Sequence, residues 1–120
     1  MVRTGEAINV CRLDLWIDPI FDEVIQQELR VKVSELPARE FDDITAMGLS
    51  KAHAYHVSAA KDELPRQWWV TAQLLAQCSQ LLCVSSGGAG FDTVDVEACT
   101  KAGVAVVNQE GANAASVAEL

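Results

Sequence analysis

Two short, wholly apolar runs set one helix apart constrain this chain more than any other feature. Leu81–Ser85 reads LLCVS and Val104–Asn108 reads VAVVN, with a glycine-rich turn and an amphipathic stretch between them. A strand without polar alternation is the pattern of a parallel strand covered on both faces. Parallel neighbours cannot be joined by a tight turn; they need a crossover of a dozen or more residues. The intervening segment supplies one. Asp95 is placed to cap a helix through Ala102, Lys101 falls in its last turn, and Gly103 stands just past its end.

The same unit repeats upstream. Ile8–Trp16 predicts a first strand through Val10, Leu13, Leu15 and Trp16. Asp18-Pro19 then reads as an N-cap with proline at the first helical position, followed by Phe21, Val24, Ile25 and Leu29 at helical spacing. Arg30–Leu36 alternates Val31 and Val33 with Lys32 and Ser34, a short edge strand that Pro37 ends. Arg39–Leu49 predicts a helix carrying Phe41, Ile44 and Met47, and Ala52–Val57 a further strand. Asp62-Glu63-Leu64-Pro65 opens a helix whose buried face takes Leu64, Trp68, Val70, Thr71, Leu74 and Leu75. Five strands alternating with helices imply an α/β parallel sheet. Right-handed crossovers make it a flavodoxin-like, doubly wound domain with helices on both faces.

Composition narrows the function. At 120 residues and 50% hydrophobic, the chain is one domain with a core of its own and is not disordered. A net charge of −8 with no basic run argues against nucleic acid, whose phosphates need clustered Lys and Arg. No apolar run approaches the roughly 20 residues of a membrane span, and MVRTGEAINVC has no secretory h-region. Cys11, Cys78, Cys83 and Cys99 lie in apolar segments without CxxC spacing, as expected of buried thiols in a reducing cytoplasm.

The chemistry belongs in the loop Ser85–Thr93, because open parallel sheets bind ligands beyond the carboxyl ends of their strands. Gly87, Gly88 and Gly90 permit positive φ, so that backbone N–H groups turn outward beside a helix start and form an anion site. A dinucleotide is one candidate, since Gly88-x-Gly90 follows a strand and Glu110 lies twenty residues on. Yet Thr93 occupies the third glycine position. A small carboxylate, held by two backbone amides, fits better. A plain strand-to-helix turn without a ligand is the simplest alternative.

GAGFDTVDVEACTKAGVAVVN resembles the pattern GxGxDNIDxxAAxxxGIxVxN of the D-isomer-specific 2-hydroxyacid dehydrogenases, and GANAASVAEL resembles the GxNxxSVAE that follows it. The resemblance covers the last third of the chain. It implies that residues 1–112 are the substrate-binding lobe, and that 113–120 begin the helix leading into an NAD-binding domain. It further implies that the amides of Ala89 and Gly90 bind the substrate carboxylate and that Asn113 offers its side-chain amide to substrate or nicotinamide. Ser86, Gly87, Gly88 and Asp92 would support the loop, with Asp92 and Asp95 structural. Thr93 stands where the family commonly has Asn, and Ser86 where some members carry a basic or other polar residue.

The family moves a hydride between NAD or NADP and a 2-hydroxy or 2-oxo acid. An Arg clamps the substrate, and a His tuned by an acid exchanges the proton. The resemblance places all three, with the GxGxxG fingerprint, beyond Leu120. The 120 residues are therefore expected to bind no cofactor tightly, to be inactive alone, and to expose an apolar interdomain face through which copies associate. His53 and His56 stand three apart on a strand, which sends them to opposite sides and disfavours a metal pair. Asp42, Asp43, Asp62 and Glu63 read as solvated helix ends. Trp68 and Trp69 diverge by about 100° on a helix, so one is core and the other half-buried. Two other classes stay open: a stand-alone flavodoxin-like binding or regulatory module, and a non-catalytic interaction subunit.

Overall fold

The computed structural model describes residues 7–15, 20–28, 30–39, 42–59, 62, 64–87 and 91–108. Five strands form one sheet: β1 (Ile8–Leu13), β2 (Val31–Leu36), β3 (Ala54–Val57), β4 (Cys83–Ser86) and β5 (Ala105–Val107). Their order is β2-β1-β3-β4-β5 and every pairing is parallel, so the doubly wound sheet is present and β2 is an edge. Helices α1 (Ile20–Gln26), α2 (Asp43–Ser50), α3 (Ala72–Leu75) and α4 (Val96–Ala102) form the connections, with one 3-10 turn at Arg66–Trp68 before α3.

Only the first crossover runs toward the β2 edge; the others run the opposite way. Right-handed connections therefore place α1 on one face and α2, α3 and α4 on the other. Side chains agree. Arg12 reaches Asp22 of α1 from one face of β1, whereas Cys11, pointing the other way, approaches the Gly48 carbonyl of α2. The three-helix face holds the core, with Cys11, Leu13, Tyr55, Val57 and Val84 buried beneath it. Cys83 and Ser85 point to the other face and are only half-buried, and Val107 there is 50% exposed. The double cover expected of the last strands is thus one-sided among the described residues.

Two local expectations change. The stretch 64–75 is not one helix: Val70 pairs in parallel with Val94, accepting from Asp95 N and donating to Thr93 O. Thr71 then caps α3, its hydroxyl accepting from Leu74 N. A β-branched Val-Thr pair favours that extended link. Leu64, Trp68, Val70, Leu74 and Leu75 are nonetheless all buried. Trp68 is fully buried and Trp69 half-buried, each indole N–H donating to a backbone carbonyl, of Ala38 and Leu64 respectively.

Helix α2 starts later than Arg39. Asp42 and Thr45 form a reciprocal capping box, Asp42 Oδ1 accepting from Thr45 N and Thr45 Oγ1 accepting from Asp42 N, both at 2.9 Å. That cap turns Thr45 and Leu49 inward and leaves Ile44 81% and Met47 60% exposed. Gly48 faces the sheet at close range, since a Cβ there would stand 3.2 Å from Leu36 Cδ2. The expected cap Asp18-Pro19 lies outside the described residues, as do Phe41, Glu63 and Leu29.

At the other end of the chain the expectations hold. Asp95 caps α4, its side chain accepting from Ala98 N, Lys101 sits in the last turn, and Gly103 follows at φ 76° in the left-handed region.

Candidate functional site

The strand ends on the carboxyl side converge on the loop between β4 and α4. Register sets the neighbours: Val57 of β3 stands beside Ser86 of β4, and His56 beside Ser85. The loop leaves β4 through Gly87, whose N–H donates to Val57 O at 2.7 Å. It returns at Thr93, whose hydroxyl donates to Ser58 O at 2.6 Å. Two consecutive carbonyls at the end of β3 therefore hold both ends of the loop.

Gly87 does not serve as the sequence suggested. Its φ is not positive, and its N–H extends the ladder to β3 instead of turning outward. Space favours glycine there: a Cβ would meet Val57 O at 3.1 Å and His56 Nε2 at 3.4 Å. Ser86 is wholly buried as the last residue of β4. Asp92 is exposed in the turn 91–94, which Val94 N closes on Phe91 O. Gly88, Ala89, Gly90 and Asn113 lie outside the described residues, as does Glu110.

The start of α4 is already satisfied. Asp95 Oδ1 accepts from Ala98 N at 3.0 Å, so the helix carries its own carboxylate there. Thr93 is fixed deeper still, with its backbone carbonyl accepting from Val70 N at 2.9 Å and its side chain buried. A buried hydroxyl spent on Ser58 O is not the third glycine of a pyrophosphate turn. The dinucleotide reading of this loop therefore fails at Thr93.

Sequence reasoning missed a polar row that crosses the thinly covered face just below the loop. Glu35, Arg12, His56 and Ser85 stand in register on adjacent strands. Arg12 binds Asp22 with Nε and Nη2 at 3.0 and 2.6 Å, and Glu35 with Nη1 at 2.7 Å. Its hydrogen bond to Arg12 holds the Asp22 carboxyl below the usual range, and Arg12 is raised in turn, first by Asp22. His56 Nδ1 lies 3.0 Å from Ser85 Oγ. Burial, and then the charge of Arg12, lower its pKa. An arginine inside an apolar strand was the available signal, but register was needed to read it. His53 is engaged elsewhere, its Nδ1 accepting from Asn9 N at 2.9 Å, so the two rings face different partners.

A surface groove of about 490 Å³ between α3 and α4 is lined chiefly by small aliphatic side chains, including Ala72, Leu75 and Ala98. Its rim also carries Asp95, Glu97 and Lys101.

Residues 14–120 match the D-isomer specific 2-hydroxyacid dehydrogenase catalytic domain. The chain belongs to that family. A 51-residue segment, 42% of this chain, is 41% identical to D-3-phosphoglycerate dehydrogenase of Methanocaldococcus jannaschii, covering 10% of that protein. An NAD+-bound 3-phosphoglycerate dehydrogenase from Entamoeba histolytica superposes with a TM-score of 0.68 at 17% identity, over 94% of this chain and 36% of its own. An NAD-dependent formate dehydrogenase from Staphylococcus aureus superposes at 0.66 and 18% identity, over 93% of this chain and 34% of its own. The chain thus spans about a third of the length of these structures. Among the described residues no helix is long and apolar enough to cross a membrane.

Proposed function

We propose that this chain is the substrate-binding lobe of an NAD- or NADP-dependent dehydrogenase that interconverts D-2-hydroxy acids and 2-oxo acids. The observation that carries the reading is the loop fastened at both ends to the tip of β3, in a chain of this family. The backbone N–H groups of Ala89 and Gly90 hold the substrate carboxylate, and the Asn113 amide faces the substrate or nicotinamide. Ser86, Gly87, Gly88 and Asp92 shape the loop. Backbone amide donors suit an anion that must keep its orientation, since they add no side-chain rotamers to freeze.

Residues 1–112 form this lobe, and 113–120 begin the helix toward a nucleotide-binding domain, a division supported by the third of each solved relative that the chain spans. When bound, the nicotinamide supplies or accepts the hydride. Thr93, with its buried hydroxyl bound to Ser58 O, unfits this loop for the cofactor's pyrophosphate. The family's Arg, acid and His are assigned beyond Leu120, so proton transfer belongs to the opposite side of the cleft. Three buried free thiols and the half-buried Cys83 fit a reducing cytoplasm.

The test is to supply the 120-residue chain with NADH and glyoxylate, hydroxypyruvate or pyruvate. No turnover is expected. Turnover at enzymatic rates would show that the essential groups are already present and that the division into lobes is wrong.

The cover of β3, β4 and β5, one-sided among the described residues, favours a second reading, in which copies of the chain, or a fuller enzyme, pack on that face. Sedimentation at several concentrations distinguishes the two. A defined dimer supports association, and a monomer at all concentrations removes it.

A further inference from the structure

We propose that the outer surface of α2 is a self-association site, on which a second copy of the chain docks antiparallel around a twofold axis through Met47. This inference goes beyond the substrate-lobe reading and stands without it. The reciprocal cap of Asp42 and Thr45 fixes how α2 is rotated, with Thr45 and Leu49 inward. Asp43, Met47 and Lys51 recur at every fourth position, so each lies about 40° further round the helix, and Ile44 falls about 20° from Lys51. The four share one stripe opposite the buried side. All are exposed, Ile44 by 81% and Met47 by 60%. Asp42 spends its carboxylate on the cap, whereas Asp43 and Lys51 form no ion pair among the described residues.

The stripe therefore reads acid, apolar, base along the helix, with the charges four residues to either side of Met47. That pattern is complementary to itself in one orientation. Turned antiparallel, two copies bring Asp43 of each opposite Lys51 of the other, twice by symmetry, and pack Met47 on Met47 with Ile44 beside it. Placed parallel and in register they set like charges together. The two charges stand about 12 Å apart along the axis, too far to pair within one helix and matched to a second helix of the same length. Methionine suits the axis position, since its flexible thioether adapts to its own copy. At a net charge of −8 the copies repel at a distance, so local complementarity selects this surface. A helix of 8 residues offers a small contact, and the dimer is accordingly weak and quickly exchanging.

The test is sedimentation of the 120-residue chain up to about 1 mM, as wild type, Asp43→Lys, Lys51→Asp and an equimolar mixture of the two variants. Wild type should dimerise reversibly. Each variant alone turns both ion pairs into like-charge contacts and should dimerise about tenfold more weakly. The mixture restores both pairs, and should associate to within about threefold of wild type. Both variants remain strongly negative, each substitution moving the net charge of −8 by only two, so general attraction does not bring them together. Rescue needs the pairing itself. A monomeric wild type, an unweakened single variant or an unrescued mixture overturns the proposal. Val107→Asp, on the open sheet face, should leave the dimer intact; a dimer lost in that variant belongs to the sheet face and also overturns the assignment to α2. Should a charge variant fail to fold, Met47→Glu serves instead, setting two carboxylates against each other on the axis. It should hold the chain monomeric, and a dimer of wild-type strength contradicts the assignment.

Discussion

The two faces of the sheet are built differently. Beneath α2, α3 and α4 the strands present Cys11, Leu13, Tyr55, Val57 and Val84, all buried, and the polar atoms there are paired over long sequence separations. Trp68 donates to Ala38 O at 2.7 Å, and Tyr55 donates to Trp68 O at 2.9 Å. Across the sheet, α1 alone among the described helices covers the strands, and the row Glu35–Arg12–His56–Ser85 runs toward a half-exposed Val107. Burial of apolar area stabilises the first face, whereas ion pairs and hydrogen bonds organise the second. Stability should therefore depend on the first face, while pH sensitivity and any packing of copies on the sheet itself should depend on the second.

The largest effect expected is on the roofed face. Trp68→Ala removes a fully buried ring and leaves Ala38 O without its indole donor, so denaturant unfolding should show a loss of about 3–5 kcal/mol. A loss below about 1 kcal/mol would mean that this face is not the stabilising one. Next comes the seam between the faces. Gly87→Ala pushes a Cβ toward the backbone carbonyl of Val57, and should cost about 1–3 kcal/mol while weakening any anion binding at the loop.

The third effect tests the polar row by pH. His56 holds its proton less tightly in the folded chain than free histidine does, because of burial and then Arg12. Below about pH 6.5 the unfolded chain takes up more protons than the folded one, so stability is full above that pH and falls as pH is lowered toward the folded value. His56→Gln should flatten that part of the profile between about pH 7 and 5. An unchanged slope would remove His56 as its source. The smallest effect belongs to the open face, where Val107→Thr should change stability by less than about 0.5 kcal/mol. A larger change would show that something covers Val107.

These contrasts also mark what the sequence could convey. Parallel strands, their number and β2 as an edge followed from apolar runs and alternation, because period and capping are local properties. Asp95 and Gly103 were legible for the same reason. Val70 was not, because its partner Val94 lies in another part of the chain and the helical spacing of its apolar neighbours suits an extended link as well. The later start of α2 was not legible either, because the reciprocal cap of Asp42 and Thr45 sets where the helix begins. In the loop, glycine-rich composition announced the place. The hold of Val57 and Ser58 on Gly87 and Thr93 depends on register, which only the folded sheet supplies.

The central claim is that the loop after β4 receives a carboxylate. The most direct measurement is a pair of amide-shift titrations of the 120-residue chain, one with pyruvate and one with methyl pyruvate, which has the same keto group and no negative charge. The account predicts saturable shifts in residues 86–93 with pyruvate and none there with the ester. Equal responses to both compounds, or pyruvate shifts confined to some other part of the chain, would contradict it.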